Sequence, residues 1–288
     1  MQREEILKTV WENTALGPIW GQKKVVRIPF NKGTITIQIT LLILALITIY
    51  SFLSFDYKDI NIFAAFISSI ATFKTMFLEA NIKHFTVGEA IYQIIVTLGL
   101  AFLTTILGAI AALFFGLLAA QNLSSPRVSN IVKGFVALIR AIPTVLWVLI
   151  FAVAAGLGSV AAVIGMTFHS VAYLIKAYSE SFEELDKDVI EALKGSGANW
   201  WQIVCQAVIP SSVTYLLSWT FMRFEINFTN AVAMGAAAGA GGIGFDLFMA
   251  SGHYFDLHEV GFITYGILLV ALALEVFTTR VKLYLKNA

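Results

Sequence analysis

The sequence predicts an all-α polytopic membrane protein with about six transmembrane helices, and three observations carry that expectation. Apolar residues make up 58% of the 288 positions and charged residues 13%, against about 45–50% and about 25% in soluble proteins. Mean hydropathy is +0.81. Long uncharged stretches run through Ile35–Phe55, Ala90–Pro126 and Ala141–Ile175, and a bilayer crossing needs roughly 20 apolar residues at about 1.5 Å each. Such a chain lacks the polar residues to cover a water-facing surface. A cytosolic enzyme, a disordered chain and a secreted disulfide domain are all excluded.

Taken in order, residues 1–34 are polar and hold six Lys or Arg. No apolar core begins early enough for a cleaved signal peptide, so the first span, 35–55, is expected to act as an uncleaved anchor. Residues 56–87 follow as a connection with a short apolar run, Ile60–Ile70, which suits a helix lying at the interface. Further spans are expected at Ile91–Ala119, Ile131–Ala155, Val160–Tyr178, Ser211–Gly235 and Val260–Leu283, with a Gly-Leu-Gly-Ser turn at 156–159. Lys and Arg flank these spans unevenly. With the N-terminus in the cytoplasm, fourteen fall inside and three (Lys58, Lys74, Lys83) outside, while Arg140 and Arg223 lie within spans. That bias puts both termini inside, in a multi-pass membrane protein. The organisation expected is a cytoplasmic segment (1–34), a first span (35–55), an extracytoplasmic loop with an interfacial helix (56–87), a core of helices (88–283) and a short cytoplasmic tail (284–288).

Other partners and chemistries are thin. A net charge of +1 offers no basic field for nucleic acid. Cys205 is the single cysteine, so an intrachain disulfide and a Cys-based metal site are excluded. His253, Asp256, His258 and Glu259 make an outward-facing cluster that could hold a metal, although their spacing reads better as solvated loop residues and no metal site is expected. No G-x-x-x-x-G-K-[ST] occurs, nor any Ser-His-Asp or H-E-x-x-H pattern, so ATP hydrolysis and membrane catalysis are not expected of this chain. The run Gly239–Gly244 fits G-x-G-x-x-G. It follows a membrane span rather than a strand, which favours a gate or close helix packing at Gly239, Gly241, Gly242 and Gly244 over a nucleotide site.

Two local features carry function. Within the cytoplasmic loop 179–210, a first helix should end near Lys194, at Gly195 or Gly197. A second opens on Asn199 with Gln202 three positions on, the spacing of a capping box. Trp200, Ile203, Val204, Ala207 and Val208 share one face of it, which could lie in a partner's groove, and Pro210 ends it. Within the spans, Arg223 and Glu225 are charges at membrane depth, where a buried charge costs at least about 2.5–3.5 kcal/mol and therefore faces a cavity or a partner. Two positions apart, they point to different sides of one helix. Asn227, Thr229, Asn230 and His169 add groups that could line a polar passage or bond neighbouring helices. Arg140, near a span end, suits a headgroup contact.

Glu191-Ala192, Gly197 and Pro210 at this spacing resemble the EAA loop of ABC-importer permeases. Leu193 stands at the usual third Ala, and Ala207 and Ile209 at the usual Ile and Leu. Arg140-Ala141-Ile142-Pro143, Ala154–Gly158, Arg223-Phe224-Glu225 and Gly239–Gly244 follow in the order of the phosphonate-type group, which moves phosphonates, phosphite or hypophosphite; Thr229 departs from a frequent Arg. The resemblance covers about Ile91 to the C-terminus. It implies an ABC type I importer permease fold in the plasma (inner) membrane of a prokaryote. It also implies a second permease copy or close paralogue, two ATPase subunits that bind ATP and Mg2+ and dock on the loop through Glu191, Ala192, Gly197 and Pro210, and an extracytoplasmic substrate-binding protein. A permease for another solute, such as methionine, is the rival expectation, with a secondary transporter or an intramembrane enzyme behind it.

Overall fold

The computed structural model describes residues 32–55 and 60–287. Most of the expected N-terminal segment (1–31), Lys58 and Ala288 lie outside them. The chain divides into two units, residues 1–62 and 63–288.

In the first unit α1 runs Lys32–Ser54 with none of its side chains buried. Its threonines return their hydroxyls to carbonyls one turn back, as in Thr36 to Lys32 and Thr40 to Thr36, both at 2.9 Å. That leaves an almost wholly apolar cylinder, as a lipid-facing span requires.

The second unit is built of helices joined by short turns, with no strand among its described residues. It comprises α2 (Ile62–Leu78, its first residue in the other unit), α3 (Val87–Ala119), α4 (Pro126–Ala141), α5 (Thr144–Ala155), α6 (Ser159–Glu183), α7 (Lys187–Gly195), α8 (Trp200–Ile203), α9 (Ile209–Ala238), α10 (Ile243–Phe248) and α11 (Leu257–Asn287). Among the described residues five stretches are long and apolar enough to cross a membrane: α1, α3, α6, the run Trp200–Ala238 and α11. A sixth crossing arises if α4 and α5 count together, but the two are bent by 90°.

That bend reshapes the span expected over 131–155. Ile142, the residue before Pro143, sits at φ −98°, ψ 125°, the extended region into which a following proline pushes its predecessor. Pro143 has no N–H to continue the ladder, and α5 starts afresh behind it. The turn after α5 falls at Gly156 and Gly158, both at positive φ (81° and 137°).

Packing inverts the pattern of a water-soluble protein. Small residues face inward: Ala101, Ala112, Ala161, Ala162 and Ala172 are fully buried. Large apolar residues face outward, among them Ile91, Phe102, Ile110, Leu269 and Val276. With lipid as the surroundings, close backbone approach replaces hydrophobic burial as the glue. Gly165 of α6 is pressed so close to α5 that an added Cβ would lie 2.6 Å from the N and Cα of Val148. Gly108 of α3 meets α6 the same way, 2.9 Å from Ser170 Cβ. Gly261 of α11 lies against the Met76 carbonyl, and this contact seats α2.

Gly165→Ala should therefore lower the thermal midpoint of the detergent-purified protein, by an overpacking cost of about 1–3 kcal/mol. Gly99→Ala and Gly134→Ala, in helices with nothing within 4 Å of the added methyl, should hold or raise it. Equal midpoints for all three would refute close packing at Gly165.

Candidate functional site

Three helices bring a polar cluster together inside the apolar bundle. Asn227 and Arg223, one turn apart on α9, lie on the same face, and both are buried, at 0% and 1% exposure. Asn227 Nδ2 donates to Thr105 Oγ1 of α3 at 2.8 Å and to Ser170 Oγ of α6 at 2.9 Å, with Thr104 Oγ1 at 3.4 Å. The threonines are free to accept because each gives its own proton to a carbonyl of α3, Thr105 to Ala101 at 2.7 Å and Thr104 to Leu100 at 2.9 Å. Arg223 Nε donates to Ser170 Oγ at 3.0 Å, and its Nη2 lies 3.2 Å from His169 Nδ1. Its guanidinium carbon stands 4.9 Å from the centre of the Tyr173 ring, a cation–π distance. Among the described residues Arg223 forms no ion pair with a carboxylate.

The expected pathway residues thus separate. Arg223, Asn227 and His169 converge, whereas Glu225 is half-buried and Thr229 exposed on other faces of α9. Ser170, Tyr173, Thr104 and Thr105 complete the cluster and escaped the sequence reading. Their signal was present: Thr97, Thr104 and Thr105 recur at i, i+7 and i+8 along one face of an otherwise apolar span, next to Ala101 and Gly108.

At one end of the bundle the elbow of α7 and α8 takes the expected shape. The last turn of α7 closes with Gly197 N–H donating to the Lys194 carbonyl at 3.0 Å and Ala198 N–H to that of Leu193 at 3.0 Å. Gly197 itself is at φ +85°, where a side chain would be strained. The Asn199 side chain accepts from Gln202 N–H at 2.9 Å, and Gln202 returns the bond to Asn199 N–H at 2.7 Å. Trp200 Nε1 donates to the Leu123 carbonyl at 2.9 Å, fastening the elbow to the α3–α4 turn.

Two expectations about this elbow are corrected. Its apolar face is not available to a partner, because Ile203, Val204 and Val208 are buried in the main core together with Ile190. What it presents outward is Trp201, Gln202, Cys205 and Gln206, with Glu191, Ala192, Gly197 and Pro210 also exposed. Nor does Pro210 end the helix. A π-turn at Val204–Val208 leads into α9, with Ile209 N–H donating to the Val204 carbonyl five residues back. The wider turn accommodates a proline ring that would otherwise clash with the carbonyl four residues earlier. One helix therefore runs from Trp200 to Ala238.

Past Ala238, Gly239 and Gly241 supply left-handed backbone (φ 64° and 79°) with open space around them. Gly242 presses on the Thr97 hydroxyl and Gly244 on the Val232 carbonyl, contacts that no larger residue fits. At this end His84, Asp256 and Glu259 offer ligand atoms within 4.8 Å of one another. Glu259, expected to be solvated, is fully buried. Its carboxylate accepts from the backbone N–H groups of Lys83 and His84 and lies 2.8 Å from His84 Nδ1, while Asp256 accepts from Lys83 Nζ at 2.8 Å. With those oxygens engaged, the cluster reads as a clasp between α11 and the 80–85 turn. The hydrogen bond from Lys83 holds the Asp256 carboxyl below its ordinary range.

Asn227→Ala should strip the α3 and α6 hydroxyls of their common partner, a loss of about 1–3 kcal/mol readable as a lower thermal midpoint. At the clasp, Asp256 with its lowered value contributes stability above the unfolded carboxylate range, near pH 4, and loses it as pH falls through the lowered value. The stability gap between the native protein and Asp256→Asn should therefore shrink on acidification. A constant gap would show that the pair contributes nothing.

The family model described as "Binding-protein-dependent transport system inner membrane component" matches residues 112–287. The phosphite transport system permease protein PtxC of Stutzerimonas stutzeri is 29% identical over 197 residues, 68% of this chain and 71% of that one. The phosphate-import permease protein PhnE of Mycolicibacterium smegmatis is 29% identical over 153 residues, 53% of this chain but 29% of the relative's own length. Among solved structures, the MetNI methionine ABC transporter in an inward-facing form aligns with a TM-score of 0.59 at 19% identity, covering 68% of this chain and 95% of that one, a likeness of fold.

Proposed function

We propose, from the premise that this chain belongs to the family of binding-protein-dependent transport system inner membrane components, that it is the transmembrane subunit of an ATP-driven importer carrying a phosphonate-class oxyanion (phosphonate, phosphite or hypophosphite) into the cytoplasm. The observation that carries the substrate class is the Arg223 guanidinium. It is 1% exposed, held by neutral donors, acceptors and a tyrosine ring, and no carboxylate of the described residues pairs with it. A buried cation kept without its counter-ion is costly, and an anion arriving in transit recovers that cost. The likeness to a phosphite permease supports the same class.

The mechanism rests on one continuous helix. Two ATPase subunits, which hold ATP and Mg2+, dock on the elbows of two permease copies through Glu191, Ala192, Gly197 and the exposed row Trp201, Gln202, Cys205 and Gln206. The elbow is joined through the π-turn to α9, the helix that bears Arg223 and Asn227. Closing of the ATPases draws the elbows together and tilts α9, which shifts the polar cluster against α3 and α6. An extracytoplasmic protein delivers the solute, and both termini of this chain lie in the cytoplasm. Such a bundle has two arrangements, and nucleotide state biases the balance between them.

Proteoliposomes holding the full complex should take up phosphite or methylphosphonate in an ATP-dependent manner and leave methionine outside; methionine uptake would move the chain to the methionine reading. Glu191→Arg and Gly197→Pro should each lower transport at least about tenfold, equivalent to roughly 1.4 kcal/mol of lost docking, with insertion unchanged. Unaltered ATPase association and uptake in both variants would remove the elbow from the mechanism.

A further inference from the structure

We infer that the groove between α4 and α6 is a second binding site, for the tetrahedral oxyanion of a phosphorus compound, with Arg140 as its principal ligand. This rests on the oxyanion reading above and adds a place and a residue to it.

The groove has a volume of ≈340 Å3 and is lined by both helices, with Lys133, Arg140, Lys176, Glu180 and Glu183 as its charged groups. Two of the three cations are already engaged. Lys133 Nζ lies 2.8 Å from Glu183 Oε1, and Lys176 Nζ lies 3.5 Å from Glu180 Oε1. Arg140 pairs with no carboxylate among the described residues. The lining therefore carries one uncompensated positive charge, and it sits on the residue best shaped to grip two oxygens of a tetrahedral anion at once.

Its position is held by the same ring that holds Arg223. The Arg140 guanidinium carbon stands 6.0 Å from the centre of Tyr173, on α6, and that of Arg223 stands 4.9 Å away. Tyr173 therefore stands near both a buried guanidinium, that of Arg223, and an exposed one, that of Arg140, which lines the groove. The sequence alone put Arg140 at the headgroups. In the structure the residue lines this groove together with Lys133, Lys176 and Glu183. Lys176, largely exposed and at the long end of its ion pair, can turn from Glu180 to an anion at Arg140. The cavity is several times larger than a small oxyanion, which suits loose holding and release.

The same chemistry has two sources: the transported solute, or the phosphate of a membrane lipid. Both can be offered to the full-length chain, purified with its ATPase in a maltoside detergent free of phospholipid. One arm titrates methylphosphonate and phosphite; the other titrates short-chain phosphatidic acid. Binding is read by phosphorus NMR for the native chain, Arg140→Gln, Arg140→Lys and Lys176→Gln, with thermal midpoints as the check on folding. Arg140→Gln should weaken binding at least tenfold, Arg140→Lys should recover part of it, and Lys176→Gln should lose less. A response in the solute arm identifies a station on the transport path, and a response in the lipid arm alone identifies a headgroup site; either supports the groove. Equal affinity in native and Arg140→Gln proteins, or no binding by the native chain in either arm, overturns it. Uptake separates the two readings. A complex that imports none of these anions while keeping Arg140-dependent lipid binding loses the transport proposal alone. One that imports them while Arg140→Gln binds normally loses the groove alone.

Discussion

The architecture depends on one constraint: in lipid, every polar group of the interior must find its partner inside the protein. Asn227 meets that constraint for three helices at once, giving its two amide protons to hydroxyls of α3 and α6 and offering its carbonyl to Ser170. Such bonds are individually modest, about 0.6 kcal/mol on average across transmembrane helices. Their value here is positional. They require α3, α6 and α9 to meet at a single register, and Gly108 allows it by leaving only 2.9 Å between where its own Cβ would be and Ser170 Cβ. A larger residue at 108 would part the helices before Asn227 could reach both hydroxyls.

Arg223 lies beside that junction and draws on it. Ser170 Oγ is shared, taking a proton from Arg223 Nε and from Asn227 Nδ2, so the guanidinium and the amide are set by one hydroxyl. The Tyr173 ring and His169 complete its surroundings without adding a negative charge. A carboxylate in their place would lower the energy of the resting bundle, but it would compete with any anion that came past. The arrangement leaves the guanidinium oriented yet without a carboxylate partner among the described residues, the feature on which the proposed passage of an anion rests.

Much of this was legible in the sequence because it rests on short-range rules. The elbow followed from Gly197 and from the Asn199–Gln202 spacing, and both capping bonds of that box form. The helical period placed Arg223 and Glu225 on different sides of α9, whereas the convergence of Arg223 with Asn227, leaving Glu225 and Thr229 outside the cluster, emerged only from the packing. What escaped depends on partners distant in sequence. Ser170 and the pair Thr104–Thr105 are ordinary hydroxyls until α3 packs on α6. The apolar row of α8 reads equally as a surface for another protein or for its own chain, and only the packing of Ile203, Val204 and Val208 against Ile190 decides it. Likewise the 90° turn at Ile142-Pro143 was concealed, since the two arms taken together have the composition and length of a span. Glu259 misled for a similar reason. A loop-end carboxylate looks solvated until the 80–85 turn folds over it with two backbone N–H groups.

Pro210 joins the elbow to the polar cluster in a way neither feature suggests alone. A proline at this point of an ordinary α-helix would remove one hydrogen bond and force a kink, at a cost of about 3 kcal/mol. The π-turn over Val204–Val208 widens the helix just before the ring, so the rod from Trp200 to Ala238 continues without a break. Stiffness on both sides of a single irregular turn is the property a transmitting element needs: a flexible linker would absorb motion at Trp200, and a perfect helix would allow no change of register. The buried side of that turn, Val204, Ala207 and Val208, is packed in the core, while Cys205 and Gln206 face outward. A force applied to the exposed row therefore reaches α9 through a turn whose hydrogen-bond pattern already departs from the α-helix, while the Trp200 bond to Leu123 and the buried Ile190 and Ile203 tie the elbow to the rest of the bundle.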